Sequence, residues 1–252
     1  MLDLAENYHD FRYGAAFEFA HEVREAIINN YFDCIIDFAS DLGNQISKPQ
    51  KNTILHDFIE NIINDHFSVV YFNDSYREYD FGNFKDIIEG SKVIDLFSQY
   101  EIKFIPIEQY LKKTNKEYFY YCYEYLRNVL ESKLTPILKV EVFNLLFDDR
   151  ELMKEFNILI ANDLEEKTKR CTRWPKWLER ALFCREKGRC AFCKKDISSL
   201  LNTNNKPAID HIVPIALNGT NDPTNLQMLC NMCNTTKRGD KIFTSNSKPL
   251  YW

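Results

Sequence analysis

Cys190-Ala-Phe-Cys193 and Cys230-Asn-Met-Cys233 bracket a segment containing Pro207-Ala-Ile-Asp210-His211-Ile212-Val-Pro214 and Thr224-Asn225-Leu226-Gln227-Met228-Leu229. The four thiols form a closed tetrahedral set suited to Zn²⁺, and a set with no open position implies a structural ion. The 36 residues between the pairs exceed the interval of a plain zinc ribbon, so something folded must fill the gap. The stretch 207–214 reads as a short strand ending at Pro214. A loop rich in turn residues follows, Ile215 to Pro223, then a second strand over 224–229. Cys230 to Lys237 reads as a knuckle leading into a helix. The predicted order is strand, loop, strand, helix, and so small a unit needs a metal staple to be stable.

Upstream of the first pair, Trp174-Pro175 interrupts the helical pattern. Pro175 suits the first position of a new helix, where no N–H donor is needed. That helix is expected to run from Lys176 to about Lys187 and to stop at Gly188. Charge changes sign at the same place. Residues 170–252 carry 14 Lys and Arg against 6 Asp and Glu, leaving 18 basic and 31 acidic residues for 1–169. An asymmetry of this size predicts two functional units, divided between 169 and 170. The basic unit suits a polyanion and the acidic one does not.

In the first 169 residues, apolar side chains recur at three- and four-residue steps over 15–40, 53–66, 117–131, 137–147 and 150–168, which predicts helices. Thr53 is placed to cap the second of these. Ser68–Phe72 and Glu101–Pro106 read as short β-like runs. Tyr118, Tyr120, Tyr121, Tyr123 and Tyr125 cluster in acidic surroundings that favour a core or protein-interface role. With only 7 Gly and 8 Pro, the fold class expected is mainly α with a small α+β domain. No apolar run is long enough to span a bilayer. The start of the chain lacks the basic-then-apolar order of a signal peptide. A soluble, cytoplasmic protein with no membrane association is therefore expected.

Asp210-His211-Ile212, Gly219-Thr220, Asn225-Leu226-Gln227 and Cys230-x-x-Cys233-Asn234-x-x-Lys237 together resemble the signature of the HNH endonucleases, the ββα-metal fold. Arg185-x-x-Gly188-x-Cys190 fits as its lead-in. The resemblance covers about residues 170–240, with Asn234 standing where the second His of the family name would be. The first 169 residues carry no such resemblance.

The resemblance implies a metal-dependent endonuclease, with residues 170–252 as the nuclease domain. Asp210 and Asn234 would hold a catalytic Mg²⁺ or Mn²⁺, His211 would activate water, and Asn225 would pin the loop and orient the imidazole. The residue chemistry agrees. A neutral imidazole takes a proton from water near neutral pH, and His211 is the only histidine after His66. Asp210 and Asn234 offer the hard oxygens that suit Mg²⁺. Adjacent strand residues point to opposite faces, so a twist or bulge near Pro214 would be needed to bring Asp210 and His211 to one site. Arg185, Arg189, Lys237 and Arg238 are candidate phosphate contacts. The partner expected is nucleic acid, with double-stranded DNA favoured and phage defence or restriction a fitting setting. A zinc-stabilised binding module and a toxin-like nuclease acting on RNA are the rival readings. The acidic N-terminal part is assigned to regulation, target choice, a protein partner or homo-oligomerisation.

Overall fold

The apolar spacing upstream folds as helix, and the cysteine-bracketed segment folds around a two-stranded sheet. A computed structural model describes residues 11–71, 92–106, 109, 118–198 and 207–247. Its helices are α1 (Ala16–Asn29), α2 (Leu42–Ser47), α3 (Ile54–Tyr71), α4 (Lys92–Gln99), α5 (Tyr118–Val129), α6 (Thr135–Phe147), α7 (Arg150–Asp163), α8 (Lys176–Arg185) and α9 (Asn231–Lys237). Strands β1 (Ala208–His211) and β2 (Leu226–Leu229) lie between α8 and α9. The mainly helical class with a small C-terminal α+β element is as expected.

Contacts divide the chain into two compact units. One comprises Met1–His21 and Ile59–Val142, the other Glu22–Phe58 and Phe143–Trp252. This division does not follow the charge break at 169/170. Residues 22–58 and helix α7, acidic by composition, group with the basic C-terminal segment.

In the first unit, Phe19, Ile63, Phe67, Phe97, Leu130 and Leu138 are buried. Glu141 is also buried, and its carboxylate is held by the Arg12 N–H (2.7 Å), the Tyr13 N–H (3.1 Å) and the Tyr100 hydroxyl (2.8 Å). A buried carboxylate persists only when donors replace its lost water, as these do.

In the second unit, Phe58 is fully buried and meets the rings of Phe32, Phe38 and Phe156 at 5.0, 5.1 and 6.0 Å. Truncating such a side chain to Ala costs about 3–5 kcal/mol. A second cluster in the same unit gathers Leu178, Leu182, Ile197, Leu226, Met228 and Leu229. It is the small core on which β1, β2 and the cysteine loops rest.

Several elements differ from expectation for local reasons. The pattern over 15–40 breaks at Asn30, whose φ of 50° ends α1, and a 3₁₀ turn follows at Ile35–Phe38. The run from Ser68 continues α3 as helix through Tyr71, because extending an existing helix avoids the cost of a new nucleus. Phe72 lies outside the described residues, as do the side chains of Tyr118 to Tyr123. Glu101–Pro106 finds no partner strand among the described residues. Thr53 does cap α3, its hydroxyl accepting from the His56 N–H at 3.3 Å. Pro175 stands one position before α8 rather than in it. Gly188 takes a φ of 68° and donates its N–H to Phe183 O at 3.0 Å, closing the end of α8 as expected.

Candidate active site

The cysteine loops are built to converge. After Gly188 the backbone folds back so that the Cys190 N–H donates to Lys195 O (2.9 Å) and the Lys194 N–H to Cys190 O (3.1 Å). The Ala191 N–H then ties this knuckle to Met228 O on β2 at 2.9 Å. The second pair enters from the end of β2 and the first turn of α9. All four sulfur atoms lie within 4.8 Å of one another, and Cys193 Sγ is 3.7 Å from Cys230 Sγ. Tetrahedral coordination with Zn–S bonds of about 2.3 Å requires S···S separations of about 3.8 Å. The sulfur spacing therefore fits a structural zinc.

The sheet presents the remaining candidates. β1 and β2 pair antiparallel, with Asp210 opposite Gln227 and His211 opposite Leu226. The ladder is regular through His211, so no bulge reconciles the two side chains. The strand instead ends at His211, three residues sooner than expected, and the chain bends at Ile212 and Val213. A cleft of about 440 Å³ opens at this end and is lined by both Asp210 and His211. Asn234, from α9, lines the same cleft, as do Arg170, Lys237 and Arg238.

Asn225 causes the early end of β1. It is fully buried, its backbone oxygen accepts from the Ile212 N–H (2.7 Å), and its side-chain oxygen accepts from the Val213 N–H (2.8 Å). Its Nδ2 donates to Val213 O and Thr220 O, both at 2.9 Å. These bonds clamp the loop beside His211, as expected of a residue that pins it, and Asn225 does not line the cleft. Gly219 is required by the same loop, since a Cβ there would stand 1.9 Å from Val213 O.

His211 is 3% exposed. Its Nε2 lies 3.0 Å from Asn221 Oδ1, and the Trp174 ring centroid is 5.8 Å away. Burial pushes its pKa below the usual imidazole value, and Arg170 and Lys237 push the same way, against the Asn221 hydrogen bond and the Asp210 charge. The balance favours neutral imidazole, the form able to accept a proton.

Asp210 Oδ2 accepts from Gln227 Nε2 at 3.0 Å and from Lys237 Nζ at 2.7 Å. Its Oδ1 has no hydrogen-bond partner among the described residues. Asn234 is half-buried at the cleft. These hard oxygens suit a cation such as Mg²⁺, which keeps several waters and takes few protein ligands.

Two expected phosphate contacts are corrected. Arg185 is 7% exposed, and its guanidinium donates to Glu186 Oε1 at 2.8 Å and to Leu226 O, over the face of Phe147. Lys237 is 2% exposed and is occupied by Asp210 and His211 O. Both are turned inward by burial, Lys237 with its ammonium engaged and Arg185 with Nε and Nη2 engaged and Nη1 buried without a hydrogen-bond partner. Arg189 is half-buried and donates to Lys194 O at 3.2 Å. Arg238 is exposed at the cleft.

Sequence reasoning missed Asn221, Arg170 and Gln227. Arg170 is exposed at the cleft with no ion-pair partner among the described residues. Gln227 had a readable signal, since a polar residue in an otherwise apolar strand points to a partner across the ladder. Asn221 and Arg170 had none, as turn asparagines and single arginines are common.

No curated protein and no solved structure matches the chain. The family model described as HNH endonuclease matches residues 190–240. That interval holds both cysteine pairs, β1, β2, the clamped loop and α9, and it makes the C-terminal part of this chain an HNH endonuclease domain.

Proposed function

We propose that this chain is a metal-dependent endonuclease that hydrolyses phosphodiester bonds of DNA at the cleft beside β1. The observation that carries the proposal is the buried, largely uncharged imidazole of His211 opening on the same cleft as Asp210 and Asn234. A module that only grips nucleic acid needs no proton acceptor beside hard-oxygen metal ligands.

The chemistry follows from the residues. Arg170 and Arg238 at the cleft would hold the flanking phosphates and orient the scissile one. His211 takes the proton of a water as its oxygen bonds to phosphorus, and the bond to the departing sugar oxygen breaks. A divalent cation held by Asp210 and Asn234 would supply positive charge to the phosphate and to the departing oxygen. The Cys190, Cys193, Cys230 and Cys233 zinc would hold the fold and take no part in the reaction.

Restriction or phage defence in the cytoplasm is the setting we favour, with the acidic N-terminal part serving regulation, target choice or assembly with a protein partner or a second copy. The test is incubation of the zinc-loaded chain with plasmid DNA and with RNA, each with Mg²⁺ and with brief EDTA. Mg²⁺-dependent cutting of DNA is expected. Cutting of RNA alone would transfer the site to an RNA-directed role, and binding without cutting under any divalent metal would overturn the enzyme reading.

A further inference from the structure

Asn221 lies in the turn between Gly219 and Pro223 and is 0% exposed. Its amide orientation is dictated by backbone groups of known polarity. Nδ2 donates to Ser47 O at 2.9 Å and to Lys169 O at 2.8 Å. Oδ1 accepts from the Cys171 N–H at 3.0 Å. Turning the amide over would set its oxygen against two carbonyls and its NH₂ against an N–H, losing all three bonds. The atom facing His211 Nε2 at 3.0 Å is therefore an oxygen.

An amide oxygen only accepts. The neutral imidazole can make this bond only with its proton on Nε2, which leaves the lone pair on Nδ1. We infer that Asn221 is a positioning residue that locks His211 in the Nε2–H tautomer, leaves Nδ1 as the atom that takes the water's proton, and tethers this base to residues 46–47. The tether is double, because the Asn221 N–H also donates to Ile46 O at 2.9 Å. Ile46 and Ser47 close helix α2, far outside the 190–240 interval. A segment remote in sequence thus sets the protonation geometry of the base. The inference rests on His211 being the base, but its first test does not require cutting.

The experiment uses the full chain loaded with zinc, without added Mg²⁺, and ¹⁵N-labelled at histidine. Long-range ¹H–¹⁵N correlation spectra are recorded at a pH where the imidazole is neutral. The His211 signals are identified by their absence in His211→Ala. The wild type should show the protonated-nitrogen shift at Nε2 and the bare-nitrogen shift at Nδ1. Asn221→Ala should move both toward the averaged values of free imidazole. It should also lower kcat by ~10²-fold with KM and zinc content near wild type, as a misplaced catalytic group does. A wild-type spectrum with the proton on Nδ1, or averaged between the nitrogens, overturns the inference even where the variants fail to fold. So does an Asn221→Ala protein that keeps both the signature and the wild-type kcat. If the chain cuts nothing while the wild-type signature is present, the nuclease reading fails and the tautomer lock stands.

Discussion

Lys237 Nζ lies 2.7 Å from Asp210 Oδ2, and the lysine side chain is only 1% exposed. A cation is thus built in beside the carboxylate that would receive the catalytic metal. Burial pulls the Lys237 pKa down and the Asp210 charge pulls it back up, with the net shift downward.

That pairing makes Lys237→Met informative. Removing one partner of a buried pair leaves the other charge uncompensated, at a cost of about 3–5 kcal/mol. Asp210 lines the open cleft, so water would relieve part of this and the lower end is expected. Mg²⁺ should take over the neutralising role. Thermal melts of the zinc-loaded variant should rise more steeply with added Mg²⁺ than those of the wild type. Equal Mg²⁺ responses would show that Asp210 does not reach the metal.

The zinc assignment predicts one tightly held Zn²⁺ per chain. Cys230→Ser removes a thiolate from a set with no spare ligand, so metal analysis of that variant should find the zinc lost and its C-terminal elements melted. Protons compete with zinc for thiolates, so acidification should release the metal from the wild type as well. Folded protein without zinc would remove the staple from the account.

Asp222 sets a pH dependence of its own. Burial raises its pKa to about 6, while hydrogen bonds from Thr224 and the Ile54 N–H only partly oppose this. A folded-state pKa above the unfolded one means that the native state holds the proton more tightly. Stability from this group is therefore largest below the ordinary carboxylate range, falls as pH rises toward 6, and is flat beyond. The loss is on the order of 3 kcal/mol. Asn at this position would set an NH₂ against the Thr224 or Ile54 donors, so the carboxyl ¹³C resonance of the wild type is the better measurement. A midpoint near 4 would show that water reaches the site.

Much of this site was legible because its chemistry is local in sequence. The cysteine spacing, the Asp210-His211 pair and Asn225 each announce themselves by residue type and interval, and the helices of the N-terminal part follow from apolar periodicity. What stayed hidden depends on tertiary partners. Arg185 and Lys237 look like surface cations, and only packing shows that Glu186, Leu226 O and Asp210 occupy them. Asn221 reads as a turn residue until Ser47, Lys169 and Cys171 are brought beside it. The charge break at residue 170 is real as composition, but charge reports on surface and partners, whereas compact units are set by which apolar faces meet.

The last prediction concerns a fragment of residues 170–252. It contains every ligand of the proposed zinc and catalytic metal, so it should bind zinc with near-normal stoichiometry. Its loop beside the base would lose most of its outside support. Asn221 would lose Ile46 O, Ser47 O and Lys169 O, Asp222 would lose the Ile54 N–H, and Thr224 would lose Asn157 Nδ2. Asn221, Asp222 and Thr224 are fully buried in the whole chain and would face water in the fragment. Solvation satisfies the freed groups but does not hold them in one geometry, and a displacement of about 1 Å at a catalytic group costs ~10²-fold. Single-turnover cleavage by the fragment should therefore be slower than by the full chain by about that factor, while a fragment beginning at residue 22 with residues 59–142 replaced by a short linker should recover most of the rate. Full activity in the 170–252 fragment would show that the nuclease domain holds its own base in place and that the bonds to residues 46–54 serve stability alone.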